Sequence, residues 1–204
     1  MIHALIAVAS VVYVCMCEYG LHRWVMHRPL WRFVYPFNAH AKVHHKTFKY
    51  DATYHLQNPA DRWTIPMAWW NGPVLVAIGA LPAVFLSWIL GMWSIVITVA
   101  VVAALYYSAY EYMHWCMHLP LPKRRMIERS WIIGWIFYRL NGHHLLHHRY
   151  MQKNYNVVLP LADLCLGTLM LRSKTQFAQA RGPSVPDVQP RQPKNLHKNT
   201  VPPS

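Results

Sequence analysis

Four short histidine clusters are the part of this sequence most capable of chemistry. They read H-R-W-V-M-H, H-A-K-V-H-H, H-W-C-M-H and G-H-H-L-L-H-H, and they hold eleven of the fourteen histidines in a chain of 204 residues. Imidazole titrates near neutrality and is the commonest side-chain ligand for metals. The clusters therefore predict a metal site. Its candidate ligands are His22, His27, His40, His44, His45, His114, His118, His143, His144, His147 and His148.

The spacing within the clusters is helical. Residues four apart share one face of an α-helix, so two such histidines can bind one metal from a single helix. His22 and His27 are five apart and diverge by about 140° on an ideal helix. They need a local distortion, or they contact different metals. The pairs with four-residue spacing are His40–His44, His114–His118, His143–His147 and His144–His148.

The types of ligand restrict the kind of metal site. Imidazole suits iron, copper, zinc and nickel. A soluble di-iron bundle needs several glutamates and two Glu-x-x-His pairs. Here only Glu111 and His114 have that spacing, and the whole chain has seven acidic residues. Because eleven imidazoles exceed the coordination number of one metal, a nearly all-histidine site for two metals is what remains.

The apolar runs predict an integral membrane protein. Residues 2–17 are apolar except for His3 and Ser10, and with residues 19–21 the run approaches the length of a spanning helix. No basic segment or A-x-A site marks it as a removable signal peptide. Two further apolar runs, separated by Gly91, lie in a stretch without lysine or arginine. We expect three transmembrane helices, at about residues 2–21, 73–90 and 92–112.

The distribution of basic residues predicts the orientation. No lysine or arginine precedes Arg23, whereas residues 23–62 and the segment K-R-R-M-I-E-R at 123–129 hold many. The positive-inside rule then places the amino terminus outside and all four clusters on the cytoplasmic face. The apolar stretches 131–140 and 157–171 are too short to span and are expected in the interface or folded back onto the cytosolic part.

The predicted fold is thus an all-α integral membrane protein with three spans, interfacial helices and a cytosolic, histidine-rich helical cap. Residues 1–172 form the membrane-embedded domain, and residues 173–204 form a proline-rich, basic, disordered tail. The formal net charge of +13 favours contact with anionic phospholipid. Nucleic acid is not an expected partner, because the basic residues flank apolar spans and form no recognisable binding module.

With their spacings H-x4-H, H-x3-H-H, H-x3-H and H-H-x2-H-H, the clusters resemble those of the fatty acid hydroxylase/sterol desaturase superfamily. The resemblance covers about residues 18–171 and includes N-Y-N-V-V-L-P-L-A-D-L-C-L-G-T-L, with Asp163 at the acidic position. The superfamily more usually has H-x2-H-H as its second cluster, and here Ala41 occupies that first position. The resemblance implies two iron ions, which zinc can replace in a purified sample. Ten of the candidate histidines would be ligands, with His143 an additional ligand or a supporting residue.

The resemblance also implies a reaction. Members are membrane-bound, non-haem di-iron monooxygenases that use O2 and two electrons to hydroxylate or desaturate lipids. A fatty acyl substrate is expected from the last cluster, although H-R-W-V-M-H and the compact membrane region also resemble carotenoid ring hydroxylases; a sterol hydroxylase or desaturase is a further alternative. Three carboxylates, Glu18, Glu111 and Asp163, are candidates to orient imidazole N–H groups, with an interfacial salt bridge or helix cap as the alternative role.

Electrons must come from a separate protein, because the sequence contains no flavin, dinucleotide or haem-attachment motif. An external ferredoxin or cytochrome with its reductase is the expected donor. The basic residues Lys123, Arg124 and Arg125 could dock it or could contact phospholipid.

Two other classes of protein compete with an oxygenase. A histidine-rich metal transporter would need coordinating groups at membrane depth, and residues 73–110 offer none. A membrane haem protein could use paired histidines as axial ligands, but eleven clustered imidazoles exceed what two haems require.

Overall fold

The computed structural model describes residues 2–120 and 125–171, and no β-strand occurs in these two ranges. The prediction of an all-helical fold is therefore confirmed. The predicted tail at 173–204 lies outside the described residues. The α-helices are α1 (Ile2–Gly20), α2 (Tyr35–Phe37), α3 (His45–Thr47), α4 (Asn71–Leu90), α5 (Ser94–His118), α6 (Arg125–Arg129), α7 (Trp131–Arg149) and α8 (Leu161–Cys165). Two π-helical segments (Leu21–Met26 and Asn38–His44) and two 3-10 helices (Ala52–Tyr54 and Pro59–Thr64) lie between them.

Three helices are long and apolar enough to cross a membrane: α1 with its π-helical extension, α4 and α5. Only 17–22% of the residues in the most apolar window of each are buried inside the protein. Large apolar side chains such as Leu5, Ile78 and Leu105 are instead more than half exposed. A surface of this kind suits lipid and not water. The three helices are therefore compatible with membrane insertion.

A tight turn joins α4 to α5. Gly91 ends α4 in the left-handed conformation, with φ of 65°, and its N–H donates to the carbonyl of Ser87. Glycine is the usual residue at this position because it has no side chain to clash in that conformation. Pro82 lies inside α4, which nevertheless continues to Leu90. The sequence-predicted hairpin is present.

The membrane helices pack as a three-helix unit in which α5 contacts both α1 and α4. Near its centre Tyr13 on α1 donates a hydrogen bond to the carbonyl of Gly79 on α4, at 2.9 Å. At the end of the unit nearest the histidines, Cys15, Tyr19 and Tyr106 form a buried cluster with Tyr155 and Ala162. The segment around residues 155–162 thus packs against the end of α1.

The short helices between α1 and α4 form a cap over one end of this unit. Local side chains fix two of them, because Asp51 accepts from the N–H of Thr53 and Asn58 accepts from the N–H of Ala60. Capping of this kind satisfies backbone donors that a short helix leaves unpaired. The cap carries the second histidine cluster.

Helix α7 differs between its two halves. Its first half exposes Trp131 and Trp135, at 86% and 60%, whereas its last nine residues are mostly buried and carry the fourth histidine cluster. Ser130 begins the helix by accepting a hydrogen bond from the N–H of Ile133. The apolar stretch at 131–140 is therefore the exposed half of a 19-residue helix, which suits it to the membrane interface.

Candidate metal centre

Ten of the eleven candidate histidines converge into two groups, in each of which the potential ligand nitrogens lie within 4.8 Å of one another. Eight of the ten side chains are buried. Buried groups of imidazoles at this separation could hold metal ions. The first group contains His22, His27, His40, His45 and His147. The second group contains His44, His114, His118, His144 and His148.

The two π-helical segments explain how the first group forms. A π-helix brings residues i and i+5 together, whereas an α-helix brings i and i+4 together. His22 lies inside the first π-helical segment and His27 directly follows it, and His40 and His45 are placed in the same way in the second. Each pair joins the first group. The local distortion that the spacing of His22 and His27 required is therefore present.

The predicted pairing of His40 with His44 is wrong, and the second π-helical segment explains why. Their four-residue spacing predicts one shared face, but the structure places His40 in the first group and His44 in the second. The reason is that the chain between them is π-helical, so His45 and not His44 aligns with His40. The Nε2 atoms of His40 and His45 are 3.0 Å apart.

Two of the three predicted pairs in the α-helical clusters are confirmed. His114 with His118 on α5, and His144 with His148 on α7, both join the second group, while His147 turns to the first group. His143 belongs to neither group, and its carbonyl accepts a hydrogen bond from the side chain of Asn154. The predicted pairing of His143 with His147 is therefore wrong, although their spacing is the same as that of His144 and His148.

Backbone carbonyls orient at least half of the imidazoles. Because a carbonyl can only accept, each Nδ1 that contacts one carries the ring proton, and the Nε2 lone pair is left free to bind a metal. The sequence gives no signal for these carbonyls, which belong to residues of unrelated types. The five contacts are from His22 to Tyr155, His44 to Thr64, His118 to Tyr54, His147 to Lys153 and His148 to Phe48.

The distances between Nε2 atoms indicate the coordination that the groups suit. Neighbouring Nε2 atoms are 2.9–3.2 Å apart in both groups. Two nitrogens at about 2.1 Å from one metal are about 3.0 Å apart at a right angle and about 3.4 Å apart at the tetrahedral angle. Five donors with near-right-angle separations suit a metal with five or six ligands better than a four-coordinate structural zinc.

Burial keeps these imidazoles neutral. Loss of contact with water lowers the pKa of His44 to about 3 and that of His147 to about 4. Burial also lowers the pKa of His27 to about 3. A neutral imidazole is the form that binds a metal, so the groups need not lose protons to bind one near neutral pH.

We expect metal-free protein to lose stability as the pH falls from 7 to 5. The unfolded chain takes up protons on histidine near pH 6.5, whereas His44 and His147 in the folded protein do not until about pH 3 and 4. Each of these two histidines therefore lowers the free energy of unfolding by up to about 1.4 kcal/mol for every unit by which the pH falls in that window. Thermal unfolding in detergent at several pH values measures this effect, and a midpoint independent of pH would contradict it.

The three candidate carboxylates accept hydrogen bonds from backbone N–H groups and from other side chains. Among the described residues, none of these hydrogen bonds comes from an imidazole. Asp163 is fully buried and accepts from the N–H groups of Tyr155 and Asn156 at 2.9 and 2.7 Å, and from the hydroxyl of Thr168 at 2.6 Å. Because the carbonyl of Tyr155 receives the Nδ1 proton of His22, Asp163 acts on the first group through the main chain.

Glu18 serves the same segment from the other side. It accepts from the hydroxyl of Tyr106 at 2.6 Å, the side chain of Asn156 at 2.9 Å and the N–H of Val157 at 2.6 Å. Glu111 accepts from the hydroxyl of Tyr107 at 2.8 Å. Of the three carboxylates, Glu18 and Asp163 thus support the loop that positions His22, in place of the direct contacts with imidazoles that were one sequence-based alternative.

Sequence reasoning missed the role of Asn154 and Asn156, although both lie in the N-Y-N segment. Asn154 has a φ of 54° and uses its side chain to bond the carbonyls of His143 and Met170. The left-handed conformation is one that asparagine tolerates better than most residues. Two asparagines flanking an aromatic residue after the last cluster were the available signal for this structured loop.

A cavity of about 750 Å³, which we call the histidine cavity, borders both groups. His40 of the first group and His44 and His114 of the second line it. Its other walls are largely apolar and include Trp63 and Tyr110. A molecule bound here would contact both candidate metal sites in a largely apolar environment.

Comparisons with protein families, curated proteins and solved structures find no match to this chain. The arguments for its function are therefore those of the site itself.

Proposed function

We propose that this protein is a membrane-bound di-iron oxygenase that hydroxylates a lipid, most simply a fatty acyl chain. The observation that carries the proposal is the convergence of ten imidazoles into two adjacent groups of five, beside a cavity that borders both. The resemblance of the four cluster spacings to the fatty acid hydroxylase/sterol desaturase superfamily supports the same reading.

The adjacency of the groups supports a centre with two metals. His147 and His148 are consecutive residues on α7, yet each belongs to a different group. The rings of His45 in the first group and His148 in the second are 4.3 Å apart between centroids. Metals held by these groups would be near enough to act on one molecule.

Iron is the proposed metal, since it accepts imidazole ligands and coordination numbers above four. When bound, it would supply the O2 activation and electron transfer that oxidation of an unactivated C–H bond requires. The ten imidazoles would hold the two ions in place, with orientations fixed by carbonyls such as those of Tyr54 and Lys153. The apolar walls of the histidine cavity would exclude bulk water and position the lipid.

The proposed orientation has the amino terminus outside and both groups on the cytoplasmic side. It is supported by the absence of lysine and arginine from residues 2–22 and 63–120, and by their frequency in residues 23–62. The proposed electron donor is an external ferredoxin or cytochrome. Lys123 and Arg124, which are candidates for its docking, lie outside the described residues.

The two rival classes are less well supported. Residues 73–110, which include most of α4 and α5, contain no ionisable group other than tyrosine, whereas transport across the membrane calls for coordinating groups at that depth. Nε2 atoms that converge at about 3 Å in sets of five leave no flat slot for a porphyrin between two axial ligands. Carotenoid and sterol substrates stay as alternatives within the oxygenase class.

Mass spectrometry of lipids made under ¹⁸O2 tests the proposal. We expect cells that make the iron-loaded protein, with a suitable reductase, to accumulate a lipid carrying ¹⁸O. Cells that make the double variant His147→Ala/His148→Ala should lack it, since that variant removes one ligand from each group. A desaturase would instead give a lipid that has lost two hydrogens and carries no label. Absence of both products would contradict the proposal.

A further inference from the structure

A second, smaller cavity lies between α1 and α4. Both helices pack against α5 but make few contacts with each other, which leaves a gap between them. We call this gap the helix cavity; its volume is about 80 Å³, against about 750 Å³ for the histidine cavity. Met67, Tyr107 and Tyr110 line both cavities and so separate them. The apolar part of its lining includes Val14, Leu21, Leu75, Val76 and Ala103.

The helix cavity extends from the membrane-facing surface to the first histidine group. Val14 on α1 and Val76 on α4 line it and are partly exposed, as expected where two spanning helices do not close against each other. At the other end the cavity is bordered by His22, a member of the first group, and by the buried Met26. A small molecule that entered between α1 and α4 from the membrane would therefore reach the first group.

The polar side chains that line the helix cavity have hydrogen-bond partners within the protein. A buried water needs about two to four polar partners of its own, so these walls offer little to water. The cavity is therefore suited to an apolar molecule. The hydrogen-bonded pairs are Glu18 with Tyr106, Asn71 with the hydroxyl of Tyr107, that hydroxyl with Glu111, and Tyr13 with the carbonyl of Gly79.

The size of the helix cavity restricts that molecule further. An engineered apolar cavity of about 150 Å³ in another protein stays free of water and binds benzene or xenon. The helix cavity, at about 80 Å³, has roughly half that volume. It is therefore too small for a ring or a long hydrocarbon chain and suits a molecule of a few atoms. O2 has two atoms, is apolar and dissolves more readily in hydrocarbon than in water.

We propose that the helix cavity carries O2 from the hydrocarbon core of the membrane to the first histidine group, while the lipid substrate occupies the histidine cavity. The two substrates then reach the site by separate routes, so bound lipid does not block O2. This inference rests on the proposed oxygenase function, because it assigns a route to the co-substrate of that enzyme. Binding of O2 in the cavity can nevertheless be measured in protein that performs no reaction.

Two buried methionines permit a test with O2 itself, which is paramagnetic and broadens the NMR signals of nearby nuclei. Met26 lines the helix cavity and is 7% exposed. Met117 is fully buried in a core cluster with Phe137 and Leu140 and lines neither cavity. The sample is full-length protein in lipid nanodiscs with ¹³C-labelled methionine methyl groups, loaded with zinc because zinc has no redox chemistry. We expect O2, compared with N2, to broaden the Met26 signal much more than the Met117 signal.

A matched pair of substitutions on α4 locates the bound O2. Val76 lines the helix cavity, whereas Val74 is 42% exposed and does not line it. Val76→Phe should fill the cavity and remove the broadening of Met26, while Val74→Phe should keep it. Ala103→Leu fills the same space from α5 and serves as the second variant if Val76→Phe does not fold. In iron-loaded protein, Val76→Phe should raise the KM for O2 roughly tenfold and leave the KM for lipid unchanged, because only one route is obstructed.

Equal broadening of Met26 and Met117 in the unsubstituted protein would overturn the proposal, as would broadening of Met26 that persists in Val76→Phe and Ala103→Leu. The result is separable from the test of the enzyme. Broadening of Met26 that Val76→Phe removes, together with an iron-loaded protein that oxidises no lipid, would refute the oxygenase and leave an O2-binding cavity. Lipid oxidation with an unchanged KM for O2 in Val76→Phe would refute the O2 route alone.

Discussion

His147→Ala and His148→Ala are each expected to lower bound iron from about two ions per chain toward one, and both should abolish lipid oxidation. The two histidines are consecutive on α7 but belong to different groups. His147 has its Nδ1 fixed by the carbonyl of Lys153, and its Nε2 lies 3.0 Å from that of His27. His148 has its Nδ1 fixed by the carbonyl of Phe48, and its Nε2 lies 3.0 Å from that of His144. Each substitution thus removes a fixed donor from a different buried site.

Metal content per chain, measured after purification and iron loading, checks this expectation. His143→Ala is the matched control, since His143 is on the same helix and belongs to neither group. It should keep both ions and the activity. A double variant at positions 147 and 148 that still bound two ions would show that the groups are not the metal sites.

Asp163→Ala is expected to destabilise the folded protein by about 3–5 kcal/mol and to weaken metal binding by the first group. The substitution leaves two buried N–H groups, those of Tyr155 and Asn156, and the hydroxyl of Thr168 without their acceptor. It also frees the backbone whose carbonyl at Tyr155 orients His22. Asp163→Asn should recover part of the loss, because it keeps one acceptor oxygen.

Thermal unfolding and competition with a chelator measure the two effects of Asp163→Ala. Asp51→Ala serves as the control: Asp51 is exposed and its carboxylate bonds only the nearby Thr53. That variant should lose about 1 kcal/mol or less and keep its metal affinity. If Asp163→Ala unfolded like Asp51→Ala, the buried carboxylate would not be supporting the loop.

The large elements of this fold could be predicted because they depend on composition alone. A spanning helix needs only length and apolarity, so α1, α4 and α5 follow from the runs that contain them, and the turn between α4 and α5 follows from Gly91. The assembly of His114 with His118 and of His144 with His148 follows from α-helical spacing.

The distribution of histidines between the two groups could not be predicted in full. It depends on whether the segment around His40 is α-helical or π-helical, and both conformations use ordinary backbone angles with similar side chains. The sequence contained one hint, since the five-residue spacing of His22 and His27 recurs between His40 and His45.

The carboxylates illustrate a second limit. As acidic residues, Glu18 and Asp163 were expected to accept hydrogen bonds. Their partners include backbone N–H groups of a loop whose conformation no residue pattern specifies. The carbonyls that orient the imidazoles could not be predicted either, because every residue type carries a backbone carbonyl. The sequence therefore identified the candidate metal ligands, whereas the contacts that support them could be seen only in the structure.

The order of the ligands along the chain has a consequence for biosynthesis. Four of the five donors of the first group lie before residue 46, whereas four of the five donors of the second group come from residue 114 onward. Both groups are completed only by α7, and the loop that holds His22 needs Asp163. Nearly the whole described chain must therefore be synthesised before either group is complete. If the groups hold iron as proposed, iron that reached a nascent chain would meet an incomplete first group, and stable loading of that group would follow translation of residue 163.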